Sequence, residues 1–365
     1  MEAWEKVLLD YEGYSQTAHA IQTCQGCHGG VNDPSKETAH ADLVSDPSED
    51  AETTCGKCHD ELIEPQMGSL HYTLAGYETV LASRSDRSDP ATWHAIEDMM
   101  DNHCSSCHTT CGQCHISQPA SVGGGLLEGH VFVETPPMSR TCTACHGSRV
   151  GDEYTGKNEG FLADVHFRQG RMACVDCHSG DILHGLGEEG ADHRYAGAES
   201  PSCQSCHSEA LGDENANLYH QMHGETLSCQ VCHSVDYKNC DACHTQQTEE
   251  GVPYFETEAS YLDFKIGLNP RQGEDRPYEY VLLRHVPASL HQFSFYGENL
   301  LPNFDSLPTW QYATPHNIQK NTPQTETCQA CHNNPELFLT ADDVAPAELE
   351  ANESVIVDQL PSTKP

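Results

Sequence analysis

Basic residues are scarce: 18 lysines and arginines stand against 56 aspartates and glutamates, for a formal net charge of −38. A chain so poor in cations lacks the Lys/Arg-rich face that recruits DNA, RNA or anionic lipid. Apolar bulk is short as well. The hydrophobic share of 37% counts all 20 cysteines, and without them it falls to about 31%, lean for 365 residues that must build their own core. Something other than aliphatic packing has to fill the interior. No run approaches the roughly 18 consecutive apolar residues of a membrane span. Residues 1–20 show neither the basic start nor the apolar stretch of a secretory signal. The expectation is therefore a cytosolic protein or the mature form of an exported one.

No cysteine stands alone. All fall in C-x-x-C pairs: Cys24 and Cys27, Cys55 and Cys58, Cys104 and Cys107, Cys111 and Cys114, Cys142 and Cys145, Cys174 and Cys177, Cys203 and Cys206, Cys229 and Cys232, Cys240 and Cys243, Cys328 and Cys331. Each pair is followed at once by histidine: His28, His59, His108, His115, His146, His178, His207, His233, His244 and His332. C-x-x-C-H is the attachment signature of c-type haem, in which two thiols bond the porphyrin and the adjacent histidine becomes the proximal iron ligand. Zinc sites also use C-x-x-C pairs, two pairs per metal, but do not require the following histidine. Redox dithiols occur once or twice in a protein, not ten times. A disulfide framework explains neither the pairing nor the histidines.

On these motifs the chain resembles the multihaem c-type cytochromes, specifically a decahaem member, over residues 24–332. The resemblance implies ten covalent haem c groups. It also implies attachment outside the cytoplasmic membrane, hence an extracellular or cell-surface location, with the periplasm as the alternative and the export signal removed. No C-x-x-C-K motif occurs, so the lysine-ligated catalytic haem of pentahaem nitrite reductases has no counterpart.

The sixth iron position decides between carrying electrons and activating a substrate. Fourteen histidines lie outside the motifs, four more than ten bis-histidine haems need. His19, His166, His223 and His316 lie a short tether before a motif, and His40, His71, His130, His184, His193 and His285 lie in the spacers. These ten are the distal candidates. His103 adjoins Cys104 awkwardly. His220 competes with His223, because at i, i+3 on a helical turn both point the same way. His94 and His291 complete the four set aside.

The expected fold is mostly irregular coil with short helices, organised around a closely packed chain of ten covalent haems, with a small β element near residues 255–290. Helices are expected at 92–102 and around 69–83, and many motifs on single helical turns. The strings YLDFKIGLN and YEYVLLRHVP read as strands. The chain divides into a nine-haem region (1–245), a haem-free arm (246–321), the tenth motif (322–340) and an acidic tail (341–365), which reads as a linker, a disordered end or a docking strand at Ser354–Leu360. Acidic clusters are candidate Ca²⁺ sites.

The leading functional expectation is a long-range electron conduit, with other redox proteins and extracellular acceptors such as minerals or partner cells as its partners. Head-to-tail self-assembly into a conductive filament is its sharper form. The alternative is a multihaem reductase or oxidase of a small nitrogen or sulfur oxyanion, which needs one open iron.

Overall fold

A computed structural model of the protein describes residues 2–107, 109–187, 191–196, 201–211, 217–235, 242–258 and 264–361. His108 and Cys240, each part of a motif, lie outside the described residues. As expected, coil and short helices dominate, with two small sheets.

The motifs themselves nucleate single turns. Those beginning at Cys24, Cys111, Cys142, Cys229 and Cys328 form one turn of α-helix, and 3₁₀ turns lie within those of Cys55, Cys104, Cys174 and Cys203. The residue before the first cysteine is Ser or Thr in seven of the ten motifs, and the side chains of Thr23, Ser202 and Thr327 cap their turns. Thr23 accepts a hydrogen bond from the Gly26 amide and Thr327 from that of Ala330, caps worth about 1 kcal/mol each. The ninth motif departs from expectation: its Cys243 and His244 lie in a strand.

Longer helices are few. We label Asp60–Gly68 as α1, Ala75–Arg84 as α2, Pro90–His103 as α3 and Leu218–His223 as α4. The helix expected around 69–83 is broken at Leu74, whose φ of 54° is left-handed and ends the turn Leu70–Thr73 before α2 begins. Helix α3 starts where Asp89 accepts from the Ala91 amide and Pro90 occupies the first turn.

Five strands follow: β1 (Ala242–Gln247), β2 (Pro253–Glu258), β3 (Phe264–Leu268), β4 (Tyr280–His285) and β5 (Trp310–Tyr312). β1 and β2 form an antiparallel hairpin, and β3–β4–β5 an antiparallel sheet. The two strings read as strands supply β3 and β4, although residues 261–263 lie outside the described residues.

The chain folds into two compact units built from separated stretches: residues 1–76, 107–147 and 173–198, and residues 77–106, 148–172 and 199–365. The second has an ordinary core. Ile266, Leu282, Phe264, Val231, Phe338 and Val357 pack on one face of the three-stranded sheet. Leu81, Ile96, Met99, Phe293 and Leu301 form a second cluster under α3. An ion pair between Arg284 and Glu153, 2.7 Å apart and almost wholly buried, joins β4 to the segment 148–172.

The tail is neither linker nor disordered through Pro361. The Leu339 amide donates to Ile266 and the Val357 amide to the Leu339 carbonyl, and Val355 and Val357 are buried. The tail belongs to the same core as the sheet.

The first unit is built differently. Among its described residues only Leu127 and Ala191 are buried hydrophobics, while Trp4, Leu8, Tyr11 and Ile21 are 61–83% exposed. Side chains that would normally seek a core meet protein on few sides.

Candidate metal centres

Within a motif turn the two cysteines lie at i, i+3 and the histidine one residue on, so thiols and imidazole emerge from one short stretch of surface. None of the described cysteines is in a disulfide, and the described histidines form a second feature of the fold. In each of seven places a motif imidazole faces an imidazole from outside the motifs.

In the first unit, ring centres are 6.3 Å apart for His19 and His59, and 6.1 Å for His28 and His130, His71 and His146, and His115 and His184. In the second unit the distances are 6.0 Å for His166 and His207, 6.1 Å for His220 and His233, and 6.0 Å for His223 and His332. The rings are too far apart to touch and too regular in spacing to be incidental. Half of such a distance, less roughly 1.1 Å from ring centre to ring nitrogen, leaves about 2 Å, the length of a metal–imidazole bond.

Five of these rings are tied down at Nδ1. Nδ1 lies 2.8 Å from the Val44 carbonyl in His28, 2.7 Å from that of Val133 in His115, and 3.1 Å from that of Gln319 in His233. Among the partners, Nδ1 of His223 meets the Tyr219 carbonyl at 3.0 Å, and that of His166 meets Asp164 Oδ1 at 2.9 Å. Donation from Nδ1 leaves the Nε2 lone pair available, the tautomer a metal-ligating histidine adopts. His130 sits at a φ of 72°, beside Gly129 at 55°. Such a backbone is costly for a residue with a Cβ and is kept where a side chain must be aimed.

Several of these imidazoles are also held neutral. Burial, then the neighbouring His146 and His178, pushes His71 below the usual histidine range. Burial, then the facing motif histidine, does the same to His19, His130 and His184. A neutral ring can bind a metal; a protonated one cannot.

Thiols of different motifs meet. Cys55 hydrogen-bonds with Cys111, Cys142 with Cys174, Cys145 with Cys107, and Cys229 with Cys203. Sharing one proton holds the Cys55 thiol down to about 6 and pushes that of Cys111 up. Each motif in these pairs therefore has another against it. Among the described residues, no three His, Cys, Asp or Glu side chains converge on one point. A zinc site would need such convergence. Two facing imidazoles suit a metal whose other ligands come from a prosthetic group, and a porphyrin supplies four. The Ca²⁺ expectation likewise finds no converging set among the described residues.

Of the ten distal candidates, His19, His71, His130, His166, His184 and His223 face a motif histidine. His40 is exposed at the end of a single turn, and His193 accepts from the Tyr195 amide. Neither is brought to a described motif imidazole. His285 lies in the sheet core, with Nε2 3.1 Å from Glu348 Oε2 and its ring against Trp310. The His316 amide donates to Glu153. His220, set aside in favour of His223, faces His233. The pairing is not local: of the short-tether candidates, His19, His166 and His223 each bypass the motif that follows them.

No protein-family model, curated protein or solved structure matches the chain.

Proposed function

We propose that the protein is an electron carrier that binds ten c-type haems and passes electrons along them. The observation that carries this reading is the set of seven facing imidazole pairs, each joining one motif histidine to one histidine from elsewhere. Haem bound at these positions would supply one-electron redox chemistry. The chain's own residues do the rest. The motif cysteines would hold the group covalently, and the paired imidazoles would ligate its iron and keep substrate off it. The carbonyls of Val44, Val133 and Gln319 hold the proximal rings in the ligating tautomer. The inter-motif thiol contacts keep pairs of sites close, as electron hopping requires.

We assign such a carrier to extracellular or cell-surface electron transfer, with redox proteins, minerals or partner cells as acceptors. Among the described residues no helix is long and apolar enough to cross a membrane. The filament form of the reading is supported by β2, every residue of which is exposed, leaving a strand edge open to pairing.

The test is haem quantification with electron paramagnetic resonance (EPR) of the oxidised protein. Ten haems per chain with predominantly low-spin signal are expected, and an unloaded or mainly high-spin protein overturns the carrier. Electron micrographs showing only monodisperse particles at native salt would remove the filament.

A further inference from the structure

Tyr278 sits where two motifs meet, at the end of the loop between β3 and β4. Backbone hydrogen bonds fix it there. The Glu279 and Tyr280 amides both donate to the Thr226 carbonyl at 3.0 Å, and the Ser228 amide donates to that of Tyr280 at 3.0 Å. From the other side, Asn269 Nδ2 donates to the Tyr278 carbonyl at 2.8 Å and the Asn269 amide to that of Glu279 at 2.9 Å. Residues 278–280 are thereby laced to 226–228, the stretch that leads directly into Cys229. The side chain then reaches both motifs. Its hydroxyl accepts from Gln204 Nε2 at 3.0 Å, within the turn Cys203–Ser205, and donates to the sulfur of Cys229.

Both motifs fit the proposed haem: His207 faces His166 across 6.0 Å, and His233 faces His220 across 6.1 Å. With both axial positions of each iron taken, the periphery of the ring is what neighbouring side chains can still adjust. As free thiols, Cys203 and Cys229 share a hydrogen bond. Thioether formation removes both S–H protons, so neither sulfur can donate to the other. The phenol keeps its proton. We infer that Tyr278 is a positioning residue that raises the reduction potential of the haem at Cys229 and Cys232, acting through the Cys229 sulfur. The inference rests on the haem reading above. A hydrogen bond to a peripheral sulfur draws electron density from the macrocycle and favours the reduced iron. Gln204 strengthens the effect, because a hydroxyl that accepts one hydrogen bond donates the next more strongly. Since Gln204 belongs to the neighbouring motif, the potential at one site depends on how the turn of the other is placed.

The experiment is a spectroelectrochemical titration of haem-loaded protein with and without Tyr278→Phe, which keeps the ring and removes only the hydroxyl. About one tenth of the haem absorbance is expected to move to lower potential. His220→Ala opens that haem and gives it a high-spin EPR signal of its own, whose midpoint should fall when Tyr278→Phe is added. The signal that His223→Ala creates at the haem of Cys328 and Cys331 should stay where it is. A titration that Tyr278→Phe leaves unchanged overturns the proposal and leaves the carrier standing. So does an equal shift of both marked haems, or a shift seen only with Tyr278→Ala, the mark of a packing role. Protein without haem overturns the carrier itself, and this proposal with it.

Discussion

His220 and His223 are three residues apart on α4, yet they face His233 and His332, histidines of different motifs. Their spacing shows that both rings leave one side of the helix. It cannot show how many partners wait there, which is why one was set aside in the sequence. Each should therefore govern its own site. If haem is bound as proposed, His220→Ala is expected to open the one at Cys229 and Cys232, and His223→Ala the one at Cys328 and Cys331. Each variant adds a high-spin EPR share of about one haem in ten, and the double variant about two. A double variant no worse than either single one would mean that both rings serve one iron. The motif residues stand out in the sequence because haem attachment would need a contiguous string. The distal residues were legible only as a surplus, because their partners lie far along the chain. His285 shows the cost of that limit: a spacer histidine at the right place in the sequence is engaged by Glu348 and Trp310.

Among the elements, β3 and β4 were readable from apolar strings bounded by Gly or Pro, whereas β1 was hidden inside a motif expected to turn helically. The tail was the least legible element, because its acidity suggests solvent while its carboxylates in fact fasten it. Asp343 pairs with Lys265 at 3.0 Å, and Glu348 accepts from Thr309 Oγ1 at 2.6 Å and lies 3.1 Å from His285 Nε2. Burial pushes the Glu348 carboxyl up, but the hydrogen bonds from His285 and Thr309 more than offset it, and its pKa falls below the ordinary 4.5. A depressed carboxyl contributes stability that is full above about pH 4.5 and is lost as the pH falls through its lower folded value. Hydrogen exchange of residues 344–358 should accelerate through that window, and Glu348→Gln should exchange fast already at pH 7. A second lever is Gly267 in β3, where an added Cβ would collide with Leu283 Cδ1 and meet the Val355 carbonyl at 2.7 Å. Gly267→Ala should displace the tail, which limited proteolysis near Val355 would detect. An unchanged digestion pattern would show that the tail is held without this close approach.

Taken whole, the chain exposes 21649 Å², about half as much again as the roughly 14,000 Å² expected for a folded protein of its 40.1 kDa. The lean composition foretold that shortfall in packing, and the first unit has only two buried hydrophobics among its described residues. Chain expressed without haem attachment is expected to leave residues 1–76 unstructured, by nuclear magnetic resonance or hydrogen exchange. The sheet core around Leu282 should keep more protection. Equal protection in both would show that the first unit folds on its own side chains.

The facing pairs also bear on how the molecule is made. His28 belongs to the first motif, but the ring opposite it, His130, comes about 100 residues later, a long loop to close. His115 similarly waits for His184, and His332 closes on a histidine already made. On the haem reading, an early motif would be complete during synthesis while its second ligand does not yet exist. Attachment and closure would then be separable stages of maturation.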